Sequence, residues 1–78
     1  MSDSNANITA SWEVKTSEDG VPDIGAVEGL LATCNRGNNT VEEVDGRIVL
    51  TTNCTSWSTR SYVQTTLMSA GLKLDEIQ

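Results

Sequence analysis

Apolar and polar residues alternate strictly from Ile8 to Val14, with Ile8, Ala10, Trp12 and Val14 on one side and Thr9, Ser11 and Glu13 on the other. A period of two marks a strand with one face buried. The period then changes. After a polar loop from Thr16 to Pro22 with an acidic tip, Ile24, Val27, Leu30, Leu31 and Cys34 recur at helical spacing. Asp23 opens this helix and Pro22 stands at its start, where a missing N–H does no harm. Gly37 is expected to end it as the C′ residue. Gly25 and Gly29 inside the helix each cost about 1 kcal/mol relative to Ala, which points to close packing against a sheet.

Two further apolar runs flank Val44-Asp45-Gly46-Arg47. Asp-Gly supplies the positive φ angles of a two-residue type I′ turn, which fixes both a hairpin and its register. Val44 then pairs with Arg47, Glu43 with Ile48, Glu42 with Val49 and Val41 with Leu50. Val41, Ile48 and Leu50 share the core face with Glu43 near its edge, while Thr40, Glu42, Val44, Arg47, Val49 and Thr51 take the other. A second helix is expected from about Thr59 to Ala70, capped by Ser58 and carrying Tyr62, Val63, Leu67 and Ala70 as its apolar stripe. Gly71 stops it, and Leu72-Lys73-Leu74-Asp75 alternates as a last short strand. The order βαββαβ is that of the ferredoxin-like split βαβ fold, an α+β domain with a four-stranded antiparallel sheet and two helices on one face. Should the short last strand not pair, βαββα with three strands is the fallback. Residues 1–7 read as a flexible polar tail and 8–78 as one domain.

Charge changes the picture more than composition does. Eleven acidic residues face five basic ones, for a net charge of −6. Residues 1–45 carry nine acids and two bases (net −7), whereas residues 46–78 carry two acids and three bases (net +1). Such a chain is repelled by phosphate backbones and drawn to basic surfaces, so direct nucleic-acid binding is not expected. The open sheet face also offers no aromatic stacking platform. No apolar run approaches the roughly 20 residues that span a membrane, and the polar N-terminus has no secretory pattern. The expected setting is the cytoplasm. Apolar residues are only 37% of the 78, so the core is thin and a partner or second copy would add stability.

Candidate chemistry is sparse. Without histidine there is no Ser-His or Cys-His arrangement, and two thiols alone do not make a zinc site. No metal or cofactor is expected. Cys34 lies in the last turn of the first helix and Cys54 just follows the third strand, at the same end of such a fold; they read as two small semi-buried thiols, with a disulfide or transient redox pair as the alternative. Cys54, Arg60 and Ser61 form Cys-x₅-Arg-Ser between a strand and a helix. That spacing resembles the phosphate loop of cysteine-dependent phosphatases, which implies a thiol nucleophile at Cys54 and an anion clamp at Arg60. The intervening Thr55-Ser56-Trp57-Ser58-Thr59 departs from it by lacking glycine and holding a bulky Trp. Glu42 and Glu43 are adjacent on a strand, point to opposite faces, and cannot act as a close acid–base pair.

The expectation is therefore a small acidic non-enzymatic interaction module. Its binding residues are Glu18, Asp19, Glu42, Glu43 and Asp45. Its partner is a protein with a basic surface, such as a nucleic-acid-binding protein whose groove a phage- or plasmid-type inhibitor occupies. A homo-oligomeric regulatory or ligand-binding module, paired through the open sheet face, where Val44 and Val49 lie, or through an edge strand, is the alternative. A thiol enzyme at Cys54 and Arg60 is the third reading.

Overall fold

The computed structural model describes residues 8–34 and 36–77; the expected tail, residues 1–7, lies outside them. The elements follow as β1 (Ile8–Lys15), α1 (Ile24–Cys34), β2 (Asn38–Val44), β3 (Arg47–Cys54), α2 (Trp57–Ser69) and β4 (Lys73–Ile77). All four strands join one antiparallel sheet in the order β2-β3-β1-β4. This is the ferredoxin-like α+β arrangement. The last strand does pair, with Leu74 opposite Val14 and Lys73 opposite Lys15, so the three-stranded fallback does not apply.

The hairpin has the register its turn dictates, from Val44 opposite Arg47 to Val41 opposite Leu50. Asp45 and Gly46 supply the two left-handed residues, with φ of 53° and 77°. Register then sorts the sheet faces. Trp12, Val14, Ile48 and Leu50 lie on the helix side and are buried against Val27 and Leu31 of α1 and Val63 and Leu67 of α2. Ile24, Leu30, Val41, Leu72 and Leu74 pack around them, partly buried. On the far side Ser11, Glu13, Val49 and Thr51 stay only half-buried, so the protein has a single core layer and an open sheet face.

The helix ends are set by side-chain and backbone caps. Asp23 opens α1 as its N-cap: its Oδ2 accepts from the Ala26 N–H at 3.1 Å. Helix α2 begins two residues earlier than the apolar pattern implies. Its N-cap is Ser56, not Ser58, and the Ser56 hydroxyl accepts from the Thr59 N–H at 3.1 Å. At the other end the N–H groups of Gly71 and Leu72 donate to the Met68 and Leu67 carbonyls, a Schellman closure with Gly71 at φ 91°.

Several sequence expectations are corrected. Tyr62 and Ala70 are exposed rather than buried, because Val63 and Leu67 alone fill the narrow strip of α2 that meets the sheet. Gly25 and Gly29 are exposed; a side chain at Gly29 would meet nothing within 4 Å and one at Gly25 only Asp23 Oδ2 at 3.2 Å, so packing against the sheet is not their reason. Gly37 is left-handed but lies three residues past Cys34, where a side chain would press on the Thr59 methyl at 3.3 Å.

Candidate functional site

The five acidic residues singled out from the sequence divide into two groups. Glu42 and Glu43 lie on β2 and Asp45 in the turn that follows. They form a continuous run along one edge strand and around its end. Glu18 and Asp19 lie in the loop after β1. There the Thr16 hydroxyl accepts from the Gly20 N–H at 2.8 Å and the Thr16 carbonyl from the Asp19 N–H at 2.9 Å, with Asp19 left-handed at φ 65°. Both groups sit at the same end of the sheet, since Val14 pairs with Ile48 beside the hairpin turn. They are separated across it, because Asp19 turns toward β4. Strands about 4.8 Å apart put β2 and β4 roughly 14 Å from each other.

Ion pairing separates the groups further. Lys73 at the start of β4 binds Asp19 at 3.0 Å, Lys15 binds Asp75 at 2.9 Å, and Arg60 reaches Glu76 at 3.6 Å. The hydrogen bond to Asp75 and its charge, aided by Glu13 and Asp19, hold the Lys15 ammonium above the usual lysine range. Among the described residues Glu18, Glu42, Glu43 and Asp45 have no salt bridge. On the β4 side Asp19, Asp75 and Glu76 are paired and Glu18 is not; on the β2 side none of Glu42, Glu43 and Asp45 is.

Beside β2 a groove of about 620 Å³ runs between the edge strand and α1, with Leu31, Val41 and Thr40 along it, Glu28 on its helix wall and Arg36 at one end. The strand edge itself is held from below. The Thr52 hydroxyl, fully buried, donates to Asn39 Oδ1 at 2.7 Å, and Asn39 Nδ2 donates to the Arg36 carbonyl at 2.7 Å.

The Cys54 and Arg60 constellation is arranged differently from what its spacing implies. Because α2 starts at Trp57, Arg60 belongs to the helix and not to a phosphate-wrapping loop. Its guanidinium lies between two indoles, 5.2 Å from Trp12 and 5.3 Å from Trp57, with Glu76 alongside. The Cys54 thiol donates to the Ser56 carbonyl at 3.3 Å. The small pocket next to it is lined by Gly37, Asn38, Asn53, Thr55 and Thr59, without Arg60. Cys34 and Cys54 are both buried free thiols. No cluster of three or more metal-ligating side chains occurs among the described residues, and no described helix is long and apolar enough to cross a membrane.

Sequence reasoning missed the outer face of α2. Trp57, Tyr62 and Met68 are exposed there, at 66%, 48% and 53%. Arg36, from the segment after α1, stacks over the Tyr62 ring at 5.0 Å. The available signal was weak: Trp57 and Tyr62 are five residues apart, a spacing that fits no single helical stripe.

Fold and site together define a small ferredoxin-like α+β domain with one unneutralised acidic edge. Compared with known proteins, the chain matches no protein-family model, no curated protein and no solved structure.

Proposed function

We propose that this chain is a non-enzymatic protein–protein interaction module whose acidic β2 edge binds a basic protein surface. A phage- or plasmid-type inhibitor occupying the nucleic-acid-binding groove of its target is the form of that role we favour. The observation that carries the reading is the contrast in pairing: Asp19, Asp75 and Glu76 have cations within 4 Å, whereas Glu42, Glu43 and Asp45 stand together without one among the described residues. Unpaired carboxylates project a field that steers a basic partner, while paired ones act only at short range. The same field repels phosphate backbones, so the partner is a protein and not nucleic acid. We take the cytoplasm as the site of action, consistent with two cysteines left as free thiols.

The test is capture from host-cell lysate with tagged protein at low and high salt. A basic partner retained at low salt, released at high salt and absent with the Glu42→Lys, Glu43→Lys, Asp45→Lys triple variant supports the reading. Capture unaffected by the triple variant refutes it.

A second reading has one observation in its favour. Val44, Val49 and Ile77 line a small depression on the open face together with Glu13, Asp45 and Arg47, and Val44 and Ile77 are each 44% exposed. Pairing of two copies through this depression gives a homodimer. Sedimentation that finds a dimer, dissociated by Val49→Glu, would favour this reading; a strict monomer removes it.

A further inference from the structure

We propose that the partner is held by strand addition: an extended basic segment of it pairs with the outer edge of β2 as a fifth strand. This rests on the interaction reading above and states how the acidic edge is used.

Strand β2 ends the sheet, so one side of its backbone has no ladder. The two-residue turn decides which groups face outward. With Val44 and Arg47 closing the turn as a hydrogen-bonded pair, Glu42–Val49 and Thr40–Thr51 are also hydrogen-bonded pairs. The alternate residues Asn39, Val41 and Glu43 therefore aim their N–H and C=O groups away from β3. Among the described residues no backbone group of another element meets them. A row of unmet donors and acceptors is a template for a further strand.

The sheet has a second free edge, β4, but its charged side chains are already engaged. Lys73, Asp75 and Glu76 each have an ion-pair partner within this chain. On β2, Glu42 points to the open face and Glu43 to the helix side, neither with a cation. Opposite-charge pairs directly across strands are stabilising and like-charge pairs are not. That selects Lys or Arg opposite both glutamates, which the β2 of a second copy, having no basic residue, does not supply.

Next along the strand, Val41 faces the α1 groove beside Leu31. An apolar side chain opposite Val41 would lie over that groove. Reading along β2 from Glu43 to Val41, the incoming strand presents basic, basic, apolar.

The probe is a short synthetic peptide with Lys-Lys-Val at its centre, alongside a scrambled peptide of the same composition. Affinity and amide hydrogen exchange are followed by NMR on the full chain. Binding of the first peptide, with the Val41 and Glu43 amides newly protected, is the expected result. Two substitutions then separate charge from backbone. Glu43→Gln removes only a carboxylate and weakens binding about two- to fivefold. Glu43→Pro also removes the outward N–H, at an edge position where proline is tolerated, and weakens it roughly a further five- to tenfold. The wild-type exchange pattern stands as an independent readout if Glu43→Pro does not fold.

Equal binding by the Pro and Gln variants, or no protection of Val41, overturns strand addition. So does equal binding of the scrambled peptide. Failure of the peptide while lysate capture remains sensitive to the triple Lys variant defeats strand addition alone. Failure of both defeats the interaction reading as well. Protection of the Val41 amide that rises with protein concentration and no peptide would mean that a second copy covers the edge, contrary to the proposal.

Discussion

Replacing Asn39 by Ala should destabilise the protein far more than its position on an edge strand implies. The buried partner decides this. Thr52 is fully buried, and its hydroxyl donates to Asn39 Oδ1 at 2.7 Å. Asn39→Ala strands that hydroxyl where water does not reach, a cost of about 1–3 kcal/mol. At about 4–8 °C per kcal/mol for a domain of this size, the melting temperature should fall by roughly 5–20 °C. Thr52→Val is milder, at about 1 kcal/mol or less, because a methyl takes the place of the hydroxyl and the half-buried Asn39 amide still bonds the Arg36 carbonyl. The double variant should then be more stable than Asn39→Ala alone, since the orphaned group is gone. Urea unfolding of the four proteins gives the coupling, expected at about 0.5–3 kcal/mol. If adding Thr52→Val to Asn39→Ala lowers stability further, the hydroxyl is not orphaned and the reasoning fails. The outcome also bears on binding, because this network fixes the start of the strand that carries Glu42 and Glu43.

Three shorter predictions test the local chemistry. Ser56→Ala should cost about 1 kcal/mol by denaturant unfolding, whereas Ser58→Ala should be close to neutral; the reverse order would put the α2 cap back at Ser58. Gly29→Ala should stabilise by about 0.4–1 kcal/mol, because the site is exposed and its surroundings are open; a loss of stability there would mean that something packs on this face. The raised pKa of Lys15 means that its pairing with Asp75 stabilises fully below the unfolded lysine value of 10.5 and is lost as pH climbs through the higher folded value. Side-chain NMR should therefore show Lys15 titrating above 10.5 in the wild type and closer to it in Asp75→Asn; an unchanged midpoint would exclude Asp75 as the cause.

The hairpin was legible because its information is local. Asp45-Gly46 sets the turn, the turn sets the register, and alternation assigns each side chain to a face. The start of α2 was less so. Thr55, Ser56, Ser58 and Thr59 are all capping types, and Trp57 between them reads as loop until its backbone is seen in the first turn. The indole of Trp57 is held there by Arg60, whose other face meets Trp12 of β1. Nothing near residue 60 announces a partner that far back in the chain. The candidate site shows the same division. Eleven acids are countable from the sequence, but which of them stay unpaired depends on β4 bringing Lys73 to Asp19 across 54 residues.

Where the cations go is what gives this chain a direction. Lys15, Lys73 and Arg60 are committed to Asp75, Asp19 and Glu76 on the β1–β4 side. Only Arg47 and Arg36 remain near the β2 side, one beside the turn and the other stacked on Tyr62 at the far end of the groove. At physiological salt a field decays over about 8 Å, less than the width of this sheet, so the paired side does little to offset the unpaired one. An approaching basic protein meets three carboxylates along β2 and its turn, Glu42, Glu43 and Asp45, that have no cation within 4 Å among the described residues. The first two are on the strand whose outer N–H and C=O groups have no partner, so the residues that attract a partner also flank the backbone that would bind it. Attraction by charge alone would be indifferent to backbone conformation. An edge that offers both discriminates an extended basic segment from a helix or loop carrying the same charge.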